Sequence, residues 1–368
     1  MGTMVFIGLR YMGRFGVCPS RFGSLTLGSR GIPRRAVSAL VFRAHGDPAE
    51  VLRLEELELP ALGETEVKVR MLAAPINPAD INMVQGSYAI LPSLPAVGGN
   101  EGVAEVEEVG AKVDRLKRGD WVVPSDTGFG TWRTVAVCAE TSLQRIPNRL
   151  PLAMAATLSV NPCTALRMLH DFIPLNPGDF LIQNGANSGV GQSVIQIAAS
   201  MGVKTINIVR KRPELEALIA QLKALGADHV FTEEDLRKPA LNDVFKDAEP
   251  RLALNCVGGK ATVDMLRHLV NGGTMVTYGG MSRKPVTVPT SALIFRNLNI
   301  RGFWVTQWKK DNAHDPSRFD AMLEELAALC RTGRLVSPAL SEYPLKDYRE
   351  ALDNAMQPYS SRKQLIVM

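Results

Sequence analysis

Three short segments hold the residues best suited to chemistry. Phe180–Gly191 reads F-L-I-Q-N-G-A-N-S-G-V-G, an apolar run followed by a turn with Gly185, Gly189 and Gly191 and then by helical spacing. Glycines allow a tight turn and close backbone approach, and a helix start offers N–H groups and positive dipole to a pyrophosphate. The spacing departs from the strict G-x-G-x-x-G pattern, and by itself such a turn also serves as an ordinary strand–helix connection. The second segment ends the next strand-like run and reads Val209-Arg210-Lys211-Arg212. A site for NAD has Asp or Glu there to accept from the ribose hydroxyls, and an acid would repel a 2′-phosphate. Arginine forms charge-assisted, often bidentate bonds to that phosphate, so the trio points to NADPH, with solvated surface charge as the bland alternative.

The third segment is the Gly- and Pro-rich stretch from Gly86 to Pro95, which contains Tyr88. A tyrosine hydroxyl is neutral near pH 7 and can donate a hydrogen bond to a carbonyl oxygen or deliver a proton. Loops often display such residues, but a loop aromatic can equally pack on a domain surface. Trp304 and Trp308 flank Val305, Thr306 and Gln307, and they suit either an apolar channel or core packing between domains. Lys309, Lys310 and Arg318 could meet phosphates, although basic runs are commonly solvated faces. Cys163, with no histidine near it in sequence, reads as a small buried residue rather than a nucleophile. The five cysteines (Cys18, Cys138, Cys163, Cys256, Cys330) are scattered and contain no CxxC, which fits a reducing compartment. The five histidines have no ligand-like spacing, so no metal site is expected.

These residues must be positioned by two kinds of element. Val37–Val41, Val67–Leu72, Gly102–Val109 and Trp121–Val123 are strand-like, and Val67–Leu72 alternates apolar and polar as a half-buried strand should. Dense Pro and Gly punctuation between them predicts a β-rich first domain. After Pro162 the rhythm changes. Strand-like runs at Phe180–Gln183, Val203–Val209, Ala227–Phe231, Leu252–Val257 and Gly273–Tyr278 alternate with helical spacing at Gln192–Met201, Glu214–Leu225 and Val263–Leu269. That alternation predicts right-handed βαβ units, an α/β doubly wound parallel sheet. An amphipathic helix over Pro316–Cys330 and a final strand over Gln364–Met368 complete the pattern, with the C-terminal part expected to return to the first domain.

The 368 residues are enough for two cores, and 46% hydrophobic with 21% charged residues is a globular balance. No apolar run approaches the roughly 20 residues needed to span a bilayer, so no membrane insertion is expected. The formal charge of +5 is misleading, because six arginines lie in residues 1–35, without any acid or lysine, and the remainder carries −1. The basic excess therefore gives no reason to expect nucleic-acid binding. An Arg-rich, acid-free leader dotted with Ser and Gly has the composition of a mitochondrial transit peptide, and the matrix is the expected location; a disordered tail is the alternative. A secretory signal fits less well, since the apolar run Met4–Leu9 stops at Arg10.

The domain order and the A-N-S-G-V-G turn resemble the medium-chain dehydrogenase/reductase superfamily. Asn77–Asn82 (N-P-A-D-I-N), Gly86-Ser-Tyr88, Leu94–Gly102 (L-P-A-V-G-G-N-E-G), Gly130–Arg133 (G-T-W-R), Val160–Thr164 (V-N-P-C-T), Tyr278–Met281 (Y-G-G-M) and Arg301–Trp304 (R-G-F-W) narrow it further. They resemble the zinc-free mitochondrial trans-2-enoyl-CoA reductases, the enoyl-thioester reductase family of mitochondrial fatty-acid synthesis, from about Val37 to the C-terminus. The resemblance implies a transit peptide over 1–36, a GroES-like β-rich catalytic domain over 37–160, a Rossmann NADP-binding domain over 161–305 and a returning segment over 306–368. It also implies a homodimer and transfer of hydride from NADPH to Cβ of an enoyl-CoA or enoyl-acyl-carrier-protein. By the family pattern Tyr88 is catalytic. Asn161, Asn187, Ser188, Gly189, Val190, Arg210, Lys211, Arg212, Tyr278, Gly279, Gly280, Met281, Phe303, Trp304, Val305 and Lys363 would contact NADPH. Zinc-dependent members carry Cys and a G-H-E histidine where this chain has Asn77–Asn82 and Gly99-Asn100-Glu101, and amides are poor zinc ligands. The rivals are an NADPH:quinone oxidoreductase and a non-enzymatic protein that keeps NADPH for structure or interaction.

Overall fold

Alternating patterning in the first half and buried runs in the second sort the chain into two sheet systems. The computed structural model describes residues 36–148, 150–238, 241–359 and 362–368; the leader lies outside them. The first eight strands are β1 (Ala36–Phe42), β2 (Leu52–Glu58), β3 (Glu66–Pro75), β4 (Ala96–Val97), β5 (Val103–Val109), β6 (Trp121–Pro124), β7 (Val135–Ala139) and β8 (Leu143–Ile146). Helices α1 (Pro48–Val51) and α2 (Pro78–Val84) fill the connections, and α3 (Leu152–Thr157) and α4 (Asn161–His170) lead out of this half. In β3 the residues Val67, Val69 and Met71 turn inward while Arg70 turns to solvent, so a period of two buries one face. β3 pairs antiparallel with β5, β7 and β16 (Lys363–Val367), with Ile366 opposite Ala74. A C-terminal strand thus completes the sheet of the N-terminal half, joined on its far side by β15 (Leu340–Pro344).

The second half is a six-stranded parallel sheet of β9 (Phe180–Asn184), β10 (Lys204–Val209), β11 (His229–Thr232), β12 (Pro250–Asn255), β13 (Thr274–Thr277) and β14 (Asn299–Gly302). Its spatial order, β11-β10-β9-β12-β13-β14, reverses beside β9, which places a crevice at the carboxyl ends of β9 and β12. Helices α5 (Gly189–Ser200), α6 (Leu215–Ala224), α7 (Asn242–Asp247), α8 (Lys260–Arg267) and α9 (Thr290–Ile294) connect the strands. The α5 helix begins three residues before the predicted Gln192, because Ser188 caps it, its side chain accepting from Gly191 N at 3.1 Å. Helix α4 had no sequence prediction; Pro162 in its first turn is compatible with a helix start, since the missing N–H would be unpaired there anyway.

The C-terminal helices are α10 (Val305–Asp311), α11 (Ser317–Arg331) and α12 (Tyr348–Met356). One apolar core crosses between the halves: Ala73, Val103 and Ile146 from the antiparallel sheet, Leu181 and Leu252 from the parallel sheet, and Trp308, Phe319 and Leu326 from α10 and α11. The halves are therefore held together by buried apolar surface and by the hydrogen bond between the Thr127 and Thr306 hydroxyls at 2.9 Å.

Candidate active site

Parallel strands aim their carboxyl ends at one edge, and nearly all the sequence-predicted cofactor residues follow such ends. Asn187, Ser188, Gly189 and Val190 follow β9, the trio Arg210–Arg212 follows β10, Tyr278–Met281 follow β13, and Phe303–Val305 follow β14. Below the crevice the strand ends are tied by buried amides. Asn184 donates to the Asn255 side chain at 2.8 Å and accepts from Cys256 N at 2.7 Å, while Gln183 donates to Asn207 Oδ1 at 2.8 Å. These bonds satisfy polar groups that burial would otherwise penalise.

The turn after β9 has the shape of a cradle. Gly185 has φ +62°, and a Cβ on Gly191 would lie 2.6 Å from Ala186 Cα. A Cβ on Gly189 would lie 2.6 Å from Asn161 Nδ2, so the start of α4 closes one wall of the same turn. The Tyr278 hydroxyl is buried near Cys256 and Ser188 and has no hydrogen bond of good geometry, a polar atom left for a ligand at the helix start. Bare backbone at a helix N-terminus and a spare hydroxyl fit the pyrophosphate end of NADPH. Arg210 and Lys211 are exposed, Arg212 is half-buried, and Lys211 approaches Glu234 at 3.9 Å. Met281 is 60% exposed at the rim, whereas the Val305 side chain is buried in the interdomain core and can offer a ligand only backbone. Phe303 meets Phe172 edge-on at 6.0 Å between ring centres.

Tyr88 is half-buried and faces this edge from the other half of the molecule. Trp304 Nε1 donates to the Tyr88 hydroxyl oxygen at 3.0 Å, and the two rings meet edge-on with centres 6.1 Å apart. Indole N–H is a donor only, so the phenol oxygen accepts and its proton is free for another partner. Burial raises the Tyr88 pKa, with Asp80 adding to the rise and the indole bond opposing it; the hydroxyl stays protonated. Trp308 takes the core-packing role considered for it and also borders a cavity. It packs in the interdomain core and lines a cavity of about 280 Å³ with Lys309, Lys310, Phe319, Asp126 and Gln144. The Lys309 ammonium lies 4.4 Å from the centre of the Phe319 ring, and its pKa is lowered by burial.

Sequence reasoning gave no role to a buried polar cluster behind Tyr88. Asp80 and Glu101 are 1% and 0% exposed. Asp80 accepts from Asn77 N at 2.7 Å, Asn100 N at 2.9 Å and Asn100 Nδ2 at 2.7 Å. Glu101 accepts from Asn77 Nδ2 and from Val160 N, both at 2.8 Å. Lys363 donates to Asn77 Oδ1 at 2.5 Å, so this predicted cofactor contact faces the carboxylate cluster from β16. Burial, then the neighbouring Glu101 charge, lifts the Asp80 carboxyl to about 6 against the bonds it accepts, while burial lowers the Lys363 pKa. The signal was present as acids enclosed by asparagine and glycine in N-P-A-D-I-N and G-G-N-E-G, but only the fold brings the two motifs together. Asn100, at the position compared with a zinc-ligating histidine, is engaged with Asp80 and accepts from Gly128 N at 2.7 Å. Among the described residues there is no cluster of three or more His, Cys, Asp or Glu suited to a metal.

Comparison with known proteins agrees with this layout. Residues 63–148 match the alcohol dehydrogenase GroES-like domain, and residues 189–328 match the zinc-binding dehydrogenase family. A mitochondrial enoyl-[acyl-carrier-protein] reductase of Xenopus tropicalis is 58% identical over 335 residues, 90% of this chain and 96% of that protein. The mitochondrial 2-enoyl thioester reductase Etr1p/Etr2p heterodimer of Candida tropicalis superposes with a TM-score of 0.84 at 37% identity, covering 91% of this chain and 100% of that one. The Etr1p complex with NADP and crotonyl-CoA superposes equally well, with a TM-score of 0.84 and 37% identity over the same 91% and 100%. With its glycine cradle, buried amide cluster and tyrosine loop, the chain belongs to the mitochondrial enoyl-[acyl-carrier-protein] reductase family of the medium-chain dehydrogenase/reductases.

Proposed function

We infer that the protein reduces the α,β-double bond of trans-2-enoyl thioesters with NADPH, serving fatty-acid synthesis in the mitochondrial matrix. The observation that carries this reading is the bond from Trp304 to the Tyr88 oxygen, which leaves a phenol proton to offer. An enoyl thioester is already electrophilic at Cβ, so it needs no metal, only positioning and a group to meet the charge that develops at the thioester oxygen. Bound NADPH supplies the hydride that Cβ receives. We propose that Arg210, Lys211 and Arg212 hold the adenosine phosphate, Asn161 and the Asn187–Val190 turn hold the pyrophosphate region, and Tyr278–Met281 with Phe303–Val305 flank the rest. Tyr88 polarises the thioester oxygen and holds the proton destined for Cα; Trp304 fixes the direction in which that proton points. Lys363 acts from behind by ordering Asn77. The acyl or pantetheine chain runs along the Trp308–Phe319 cavity, where Lys309, Lys310 and Arg115 face an acidic carrier or CoA.

The assembly we propose is a homodimer through β14. That strand lies at the edge of the parallel sheet, and beside it Ile294 and Phe295 are 66% and 78% exposed. Pairing two such edges would satisfy the open backbone groups and cover the apolar side chains. The activity is tested by following NADPH oxidation with crotonyl-CoA, a longer trans-2-enoyl-CoA and a quinone. Turnover with the thioesters is expected; turnover with the quinone alone would replace this reading with the quinone oxidoreductase one.

A further inference from the structure

Tyr359 lies outside every motif considered above. It follows α12, on the segment that leads back into β16, and it reaches the end of β10 in the other half of the molecule. The Arg210 guanidinium carbon lies 5.1 Å from the centre of its ring, and that of Arg212 lies 5.4 Å from the same centre. Arg212 also donates to the Tyr359 carbonyl oxygen. The residue has φ +62°, a left-handed conformation that a bulky side chain adopts only when its surroundings hold it there. The residue is 43% exposed, so core packing does not account for the placement.

Two flexible cations that contact one aromatic ring are thereby tied to a common point despite their mutual repulsion. Two neighbouring acids compete for the same trio. Lys211 approaches Glu234 at 3.9 Å, and the Glu233 carboxylate acts on Arg210. A 2′-phosphate needs both guanidiniums converging on one dianion. We propose that Tyr359 is a positioning residue that clamps Arg210 and Arg212 together and thereby sets the preference for NADPH over NADH. The clamp acts through the arginines and rests on the reading that they take the 2′-phosphate. The discrimination between cofactors therefore depends on a residue about 150 positions away in the chain, carried by the C-terminal return.

The experiment compares Tyr359→Ala, Tyr359→Phe and the pair Arg210→Ala/Arg212→Ala in the full chain. It measures KM for NADPH and NADH, and binding of 2′,5′-ADP and 5′-AMP by calorimetry. Tyr359→Ala is expected to weaken NADPH and 2′,5′-ADP by about fivefold to tenfold, the scale of two partly exposed cation–π contacts. NADH and 5′-AMP should be unchanged, and Tyr359→Phe should behave as wild type because the ring alone carries the contacts. Adding Tyr359→Ala to the arginine pair should cost nothing further. Equal weakening of phosphorylated and unphosphorylated ligands, or no weakening, would overturn the clamp. If the arginine pair itself leaves the NADPH preference intact, the phosphate reading fails, and the clamp fails with it; a preference lost in the arginine pair but kept in Tyr359→Ala removes the clamp alone.

Discussion

At the scale of single residues, the proposed chemistry depends on where one proton points. Trp304 can only donate, so its bond to Tyr88 assigns the phenol the role of acceptor on one side and donor on the other. Tyr88→Phe keeps the edge-on ring contact and removes the proton. We expect NADPH binding and folding to persist while kcat/KM for crotonyl-CoA falls at least about tenfold, some 1.4 kcal/mol of transition-state stabilisation. Unaltered turnover would remove Tyr88 from the reaction. A second residue-scale prediction concerns Asp80, whose carboxyl burial raises from 3.8 to about 6. Between those values the folded chain keeps a proton that the unfolded chain has released, so this group's contribution to stability is full at low pH and is lost as pH rises through about 6. The loss is on the order of 3 kcal/mol. Denaturant unfolding of wild type and Asp80→Asn at pH 4.5 and pH 7 should show a smaller pH dependence in the variant; parallel profiles would contradict the buried-acid account.

At the scale of elements, the glycine turn and α5 act as one unit. A methyl group on Gly191 meets backbone at Ala186, which cannot rotate away as a side chain could. Gly191→Ala is expected to cost about 1–3 kcal/mol of stability by overpacking. NADPH affinity, read by titration of cofactor fluorescence, should fall with it. A variant that folds and binds as wild type would mean that the turn has more room than this geometry gives. Periodicity located most of these elements because it reflects burial: β3 alternates since one face is wet, and β9 opens on the apolar run Phe180–Ile182 because the strand is buried along nearly its whole length. It misplaced the start of α5 and passed over α4, where glycine, proline and asparagine carry weak helix propensity and capping decides the outcome instead.

At the scale of the whole molecule, two sheets share one apolar core, and the last strand of the chain is laid against β3. That return brings Lys363 to the Asp80–Glu101 cluster and Tyr359 to the arginine pair, so the C-terminal segment touches both ends of the proposed site. The proposed homodimer would cover the exposed Ile294 and Phe295 beside the β14 edge. Ile294→Asp combined with Phe295→Asp should convert a dimer into a monomer in light scattering, with its parallel sheet intact by circular dichroism. A wild-type chain that is monomeric at micromolar concentration would refute this interface.

Sequence alone determined the βαβ rhythm, the glycine turn, the basic trio proposed to address a 2′-phosphate and the Tyr88 loop, because each depends on local spacing or on the charge of adjacent residues. It could not reveal the Tyr88–Trp304 bond, the joining of Asp80 and Glu101 through Asn77, or the ring under Arg210 and Arg212. Those contacts link residues tens to hundreds of positions apart. They exist only because β16 pairs with β3 and because shared apolar burial brings the halves together. Hydrogen bonds and cation–π contacts depend on distance and angle, and those quantities are set by tertiary packing.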